Sequence, residues 1–437
     1  MTNSFISQIN NISKSIISYD NINSHSTIKM RNIKNGITLN DAVFYRFQQS
    51  HINNTQQSVV DDLNYGHKHF SRQAYYSKEG NIPIYIYNQL LTFFINMHKS
   101  LSPKTKYLPI AVDGTNNNID GQVCLNMCFY DITNSIPLDI TFSGASNRNC
   151  EVKEFKKYLT SHPAAFSNAV FVCDRAYSSH KLMTFLTNNN YHYVLRLKKN
   201  AKLIGDNNYR IITHTNFTKT ILKPNRSKKS IKTLTIERKQ TQYLITNLDN
   251  KTHSDSSIIQ LYRSRWAIET FFKLLKSNYK FQFPSESLED AINKSYLSDL
   301  SVICIMRLIE TYYVNINNNF KKVNMSTDDF TYKPNYSNMI KGIHEKILYK
   351  IINADLSQKD LDEYCNTYIH FVKNKTNRSY PRRSKKPFTK WYVKEYSHMA
   401  EMVKIINAIK NGTINELNKN QKLKTSEIIT INNKSYG

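Results

Sequence analysis

The sequence predicts an α/β fold: a mixed β-sheet flanked by helices, with a β-rich insertion and helical regions at both ends. Three observations carry this. From Tyr107 onward, short β-branched or aromatic runs alternate with stretches of helical spacing, in the order β-β-β-α-β-α-β. "AVFVC" (169–173) is continuously apolar, as a strand buried on both faces must be. The chain on either side has helical spacing instead, with apolar residues three and four apart.

In chain order, the polar Asn/Ser/Ile-rich residues 1–36 read as loose or partly helical. "TLNDAVFYRFQQSH" opens with Thr38-x-x-Asp41, a capping box, and continues as a helix. "HFSRQAYYSKEGNIPIYIYNQLLTFFINMHK" reads as two helices around a turn at Gly80-Asn81, either a helix-turn-helix DNA reader or a plain helical hairpin. "YLPIAVDGT", "QVCLNMCFYDI" and "IPLDITFSG" read as strands, "EVKEFKKYLTSH" as a helix, then "NAVFVCDRAY" as a strand. "SHKLMTFLTNNN" (helix) and "YHYVLRLKKN" (strand) follow, and residues of about 200–250 are basic and strand-like. "LEDAINKSYLSDLSVICIMRLIETYYV" reads as a long, largely buried helix. The resulting division is a helical N-terminal region at 1–105 and a mixed α/β domain at 106–181 with 255–315. A β-rich basic insertion occupies 182–254, and a helical basic region 316–437.

Charge is the first functional clue. Sixty Lys+Arg against 33 Asp+Glu give +27 and a pI near 9.6, the electrostatic footprint of a polyanion binder, although a lysine-rich composition from AT-rich codons gives the same balance. Between Lys373 and Lys394 there are nine Lys/Arg, Arg382 and Arg383 among them, and no acid. Tyr, Phe and Trp are interleaved, so the run suits phosphate contacts as well as a solvated tail. No apolar run is long enough to span a membrane, and the N-terminus lacks a signal peptide's apolar core. The six cysteines form no C-x-x-C pair and read as reduced thiols. The expectation is a soluble, intracellular, DNA-associated protein.

In a chain this short of acids, Asp113 in "PIAVDGT" and Asp174 in "VFVCDRAY" close buried-looking strands, where sheets place ligands and catalytic groups. A strand-end aspartate taken alone is more commonly a turn or cap residue. A third acid changes that balance. In "LYRSRWAIETFFKLLKSN" (261–278), an ideal helical wheel places Tyr262, Arg265, Glu269 and Lys276 within an arc of about 60°. Leu261, Ile268, Phe271, Leu274 and Leu275 fall on the opposite, core-seeking face, and Trp266 flanks the polar stripe. Three carboxylates brought together hold hard divalent cations, and the surrounding Arg, Lys and Tyr suit phosphate oxygens.

The spacing Tyr262-x2-Arg265-x3-Glu269-x6-Lys276 resembles the Tyr-Arg-Glu-Lys (YREK) signature of DDE insertion-sequence transposases. "AVDGT" and "CDRAY" resemble that family's two aspartate strands, in the same order. The resemblance covers roughly residues 105–310. It implies an RNase H-like catalytic fold and cut-and-paste DNA transposition, with Asp113, Asp174 and Glu269 as catalytic residues and as ligands of two Mg²⁺ ions, Mn²⁺ substituting. Tyr262, Arg265 and Lys276 would contact the phosphates of the transposon ends; Trp266 is a candidate for stacking on a base, and Arg175 for binding DNA. The implied partners are double-stranded DNA, both terminal inverted repeats and target, and a second copy of the chain on that DNA. Two other readings stand beside it: a domesticated, non-catalytic DNA-binding descendant, and an RNase H-like nuclease. One departure bears on activity. Many relatives carry Gly where this chain has Ala176, and alanine would strain a turn that needed a positive φ.

Overall fold

The computed structural model describes residues 2–26, 28–33, 36–65, 69–102, 105–119, 122–145, 151–162, 166, 168–198, 209–222, 234–282, 288–316 and 330–375. The chain divides into two units, residues 1–216 with 240–378 and residues 217–239 with 379–437. Within the second, only 217–222 and 234–239 are described, and they are strand. Arg382 and Arg383, with most of the basic run, lie outside the described residues.

Among the described residues the main sheet has seven strands: β1 Leu108–Ile119, β2 Gln122–Asp131, β3 Ile136–Ala145, β4 Ala169–Cys173, β5 His192–Arg196, β6 Arg210–Leu222 and β7 Leu234–Thr246. Their spatial order is β3-β2-β1-β4-β5-β7-β6. β1, β2 and β3 form an antiparallel meander, β4 and β5 run parallel to β1, and β7 is antiparallel to β5. β4 is buried at every position, which is why its sequence is continuously apolar rather than alternating.

Helices cover both faces. α1 Thr2–Ile16, α2 Tyr19–Ser24, α3 Leu39–Gln49, α4 Gln56–Asn64, α5 Arg72–Gly80 and α6 Ile84–Leu101 precede the sheet. α7 Glu151–Ser161 and α8 His180–Asn188 are interleaved with the strands, and α9 Asp255–Ser264, α10 Trp266–Asn278 and α11 Glu289–Ile316 follow them. α12 Tyr336–Gly342, α13 Leu348–Ile352 and α14 Gln358–Tyr368 come last, together with a two-stranded sheet of β8 Phe330–Pro334 and β9 Phe371–Lys375. On one sheet face Val170, Val172 and Val194 join a core with Ile258 of α9. On the other, Phe171 meets Phe155 of α7 edge-to-face at 5.0 Å.

The Thr38 capping box forms as expected: Asp41 N donates to Thr38 Oγ1 at 3.0 Å, and Thr38 N donates to Asp41 Oδ2 at 3.3 Å. The N-terminal residues are more ordered than the sequence suggested. Phe5, Ile6, Ile9 and Ile16 of α1 are buried, and Asn10 exchanges two hydrogen bonds with the Leu356 backbone. α6 is a core helix packed along α11, with Ile86, Tyr87, Leu90, Leu91, Phe94 and Ile95 buried, while α5 packs on α3 and α4. A buried ionic network ties these helices together. Arg46 of α3 pairs with Glu79 of α5, Tyr87 donates to Glu79 at 3.0 Å, and Lys294 of α11 stands 3.9 Å from Glu79.

Candidate active site

Register brings the two aspartates together. The parallel pairing of β1 with β4 ends at Val112 opposite Cys173, so Asp113 and Asp174 are each the first residue beyond it. Asp174 does stand at a strand end, but Asp113 does not: β1 runs on to Ile119, paired with β2 alone, and Asp113 faces Cys128 within that ladder. The rim is therefore the end of β4, and Asp113, half-buried, reaches it because its neighbour stops.

Asp174 also fills the role that a lone strand-end aspartate would have. Its Oδ1 accepts from Ala176 N at 2.6 Å and caps the single 3₁₀ turn Arg175–Tyr177. Ala176 is not among the residues with positive φ, so alanine costs no backbone strain there. Arg175 is exposed on the same turn.

The predicted single helix 261–278 is two. α9 stops at Ser264 and α10 starts at Trp266, with Arg265 between them in right-handed backbone at φ −50°, ψ −30°. Its N–H bonds to Tyr262 O and its carbonyl accepts from Ile268 N, three residues apart in each case, which tightens the joint. Ile268, Phe271 and Leu275 are buried as expected, whereas Leu261 and Leu274 are half-buried.

That joint aims Arg265 inward. Its Nη2 donates to Glu269 Oε1 at 2.7 Å, and its Nη1 stands 3.5 Å from Asp113 Oδ2, an ion pair without a hydrogen bond. Arg265 is 9% exposed, and its guanidinium lies 6.0 Å from the Tyr262 ring centroid. The sequence had reserved this cation for DNA; in the structure it links two of the three carboxylates. Burial works against its charge, and the bond to Glu269 together with Tyr262 and Asp113 outweighs that, so the guanidinium stays firmly protonated. Burial also raises the Tyr262 phenol, which Arg265 and a hydrogen bond from Arg196 pull back down. Lys276, two turns along α10, is half-buried, and burial lowers its amine. Trp266 is 51% exposed, with Lys273 Nζ 5.5 Å from its ring centroid.

Burial pushes the Asp113 carboxyl up; Arg265 pulls it down, Asp174 and Glu151 push it up again, and it settles at about 7. Glu151, which acts on Asp113, reads in the sequence as an ordinary first-turn helix acid. Among the described residues no three His, Cys, Asp or Glu side chains are gathered as a ready metal cage. At this rim, Arg265 stands between Asp113 and Glu269. The donor type nonetheless suits a hard divalent cation, since ionised carboxylates offer acceptor-only oxygens. A concavity of about 830 Å³ between α3, α4 and the C-terminal helices includes none of these carboxylates.

One family profile matches residues 109–298. It is the transposase DDE domain. The match begins one residue into the β1–β4 pairing and ends within α11, so it contains Asp113, Asp174 and the α9–α10 joint. A putative transposase for insertion sequence element IS4SA from Synechocystis sp. is 27% identical over 149 residues, 32% of this chain and 41% of that relative. The chain thus spans about two-fifths of the length of the curated relative it matches. Residues 109–298 are thus similar to a transposase DDE domain. The cryo-EM structure of a piggyBac transposase synaptic complex with hairpin DNA overlaps 89% of this chain and 86% of its own, at 12% identity and a TM-score of 0.38. A likeness that low supports nothing further. No helix among the described residues is long and apolar enough to cross a membrane.

Proposed function

We propose that this protein is a DNA transposase of the YREK type, cutting DNA at transposon ends and joining the ends to a target. The observation that carries this reading is the rim itself: Asp113 and Asp174 side by side beyond the last β1–β4 pair, with Arg265 joining Asp113 to Glu269. The transposase-domain match over these residues supports it. So does the strand order 3-2-1-4-5, which suits the RNase H-like arrangement the resemblance implies.

In this reading Asp113, Asp174 and Glu269 hold two Mg²⁺ ions, or Mn²⁺ in their place. When bound, such ions activate a water or a 3′-hydroxyl and stabilise the leaving oxygen at a phosphodiester. The chain's own groups do the rest. Arg265 leaves the carboxylates for a non-bridging phosphate oxygen, where its planar fork binds two oxygens at once. Tyr262, Arg196 and Lys276 position the backbone, exposed Arg175 extends the contact, and Trp266 offers a face for an unpaired base. The +27 charge draws in the DNA, and two copies of the chain pair the two ends.

The test uses the full chain, duplexes carrying the repeats that flank its gene, and Mg²⁺ or Mn²⁺. Nicking that exposes 3′-hydroxyls, and joining of those ends to a plasmid, are expected. Asp113→Asn, Asp174→Asn and Glu269→Gln should each remove both activities while leaving DNA binding in place. If wild type and Asp113→Asn bind alike and neither cuts, the protein is a DNA-binding module and the enzymatic reading fails. Light scattering of the cleavage-competent complex should give two chains.

A further inference from the structure

The concavity between α3, α4 and the C-terminal helices holds about 830 Å³, within the range of small-molecule sites. His51, just beyond α3, and His344 both line it. They are 5% and 6% exposed, and each keeps a buried Nδ1 without a hydrogen-bond partner. Their ring centroids stand 4.5 Å apart, and His344 Nε2 is 3.4 Å from the Tyr279 hydroxyl, a contact that leaves Nδ1 unserved. His344 sits on a single π-helical turn, Ile343–Ile347. Such turns are rare and concentrate at functional sites. Gln48 fixes this one: its Nε2 donates to His344 O at 2.7 Å, and its Oε1 accepts from Asn54 Nδ2 at 2.7 Å.

One buried histidine with an unpaired nitrogen is a cost that a core can carry. Two such rings side by side, lining the same concavity, ask for a partner that the protein itself does not supply. Burial lowers His51 to about 4 and holds His344 well below the usual histidine range, so both rings are uncharged at neutral pH. They suit a ligand edge that both donates and accepts, because a neutral imidazole takes either role by changing tautomer. The walls select a flat ring. Tyr349 meets Phe44 edge-to-face at 5.1 Å, and Tyr364 stacks on Tyr368 at 5.6 Å. Gly342 permits that wall, since a Cβ there would overlap the Tyr368 ring. Among the described residues the lining carries three lysines and four acids, in a chain of net charge +27. With no excess of cations, it suits an uncharged ligand better than the phosphates of a strand.

We infer that this concavity binds an uncharged heteroaromatic molecule of the nucleoside class, its ring against the aromatic wall and its polar edge on His51 and His344. None of the residues at the carboxylate rim takes part, so the inference stands apart from the transposase reading.

Saturation-transfer difference NMR on the full chain, without DNA or metal, tests this with adenosine, guanosine, cytidine and thymidine as probes. At least one nucleoside should bind, and its 5′-monophosphate should bind no tighter. His344→Phe keeps an aromatic ring, removes both nitrogens, and should weaken that nucleoside at least tenfold, the scale of one lost hydrogen bond. Tyr349, 45% exposed, can be truncated without opening the core. Tyr349→Ala should also weaken binding at least tenfold, as loss of a stacking face does. Tyr349→Phe keeps that face and should bind as wild type does. The two Tyr349 variants decide the matter if His344→Phe does not fold. The inference is overturned if no nucleoside binds, if either folded His344→Phe or Tyr349→Ala binds within twofold of wild type, or if the monophosphate binds tenfold tighter than its nucleoside.

Discussion

Arg265 is nine-tenths buried, with one guanidinium nitrogen directed at each of two carboxylates. Without DNA it is a structural residue, because two acids on different elements share its charge. Lysine cannot span both, being a point charge on a flexible stem. Arg265→Lys should therefore lower metal-free stability by about 1.5–3 kcal/mol, the range for charge-assisted hydrogen bonds. Urea titration with EDTA present reads this out, and an unchanged midpoint would mean that the link contributes nothing. At Ala176 the resemblance pointed to strain that is absent, because the turn is 3₁₀ and stays at negative φ.

Among the elements, α3, α5, α6 and α11 are joined by polar contacts as well as apolar packing. Glu79 accepts from Tyr87 and pairs with Arg46, and both members of that ion pair are about 1% exposed. Glu79→Leu would leave buried cations on α3 and α11 facing an alkyl group. The expected loss is about 3–5 kcal/mol, as when one partner of a buried pair is removed. Asp290, whose side chain is 60% exposed against Lys294, supplies the control: Asp290→Ala should cost well under about 1 kcal/mol. Chemical denaturation of both variants checks the pair, and equal losses would refute the network. The joint at Arg265 shows why an ideal wheel was insufficient. The wheel assumes one axis, and three-residue bonding at Arg265 makes two.

For the whole molecule, buried histidines set the acid limit. Burial lowers His51 to about 4, with Lys280 adding to the effect, and lowers His98 to about 4, with Arg307 adding. His344, against His51 at 4.5 Å between ring centroids, is also held well below the usual histidine range by burial and by that neighbour. An unfolded histidine titrates near 6.5. Between about 6.5 and 4 the unfolded chain therefore takes up protons that the folded chain refuses. The stability these histidines contribute is full above that window and falls as pH drops through it, by up to about 1.4 kcal/mol per pH unit for each, while Asp113, raised to about 7, works in the opposite direction. Urea midpoints at pH 7, 6 and 5 should decline, and His98→Gln should flatten the decline. An equal slope in the variant would clear His98 of the effect.

Much of this was legible in one dimension. Periodicity placed the β1–β5 strands, α7, α8 and α11, because burial of one face imposes spacing on the residues that form it. The scarcity of acids marked Asp113, Asp174 and Glu269 before any fold was known. Register lay outside that reading: Val112 against Cys173 is what aligns the two aspartates, and pairing between distant strands leaves no local trace. The same holds for Glu151 beside Gly114 and for Arg265 between Asp113 and Glu269. The sequence determined which groups are on hand for chemistry, since side-chain type is local. Only the tertiary structure decided which of them meet, since separate strands and helices converge at one sheet rim only once the chain is packed.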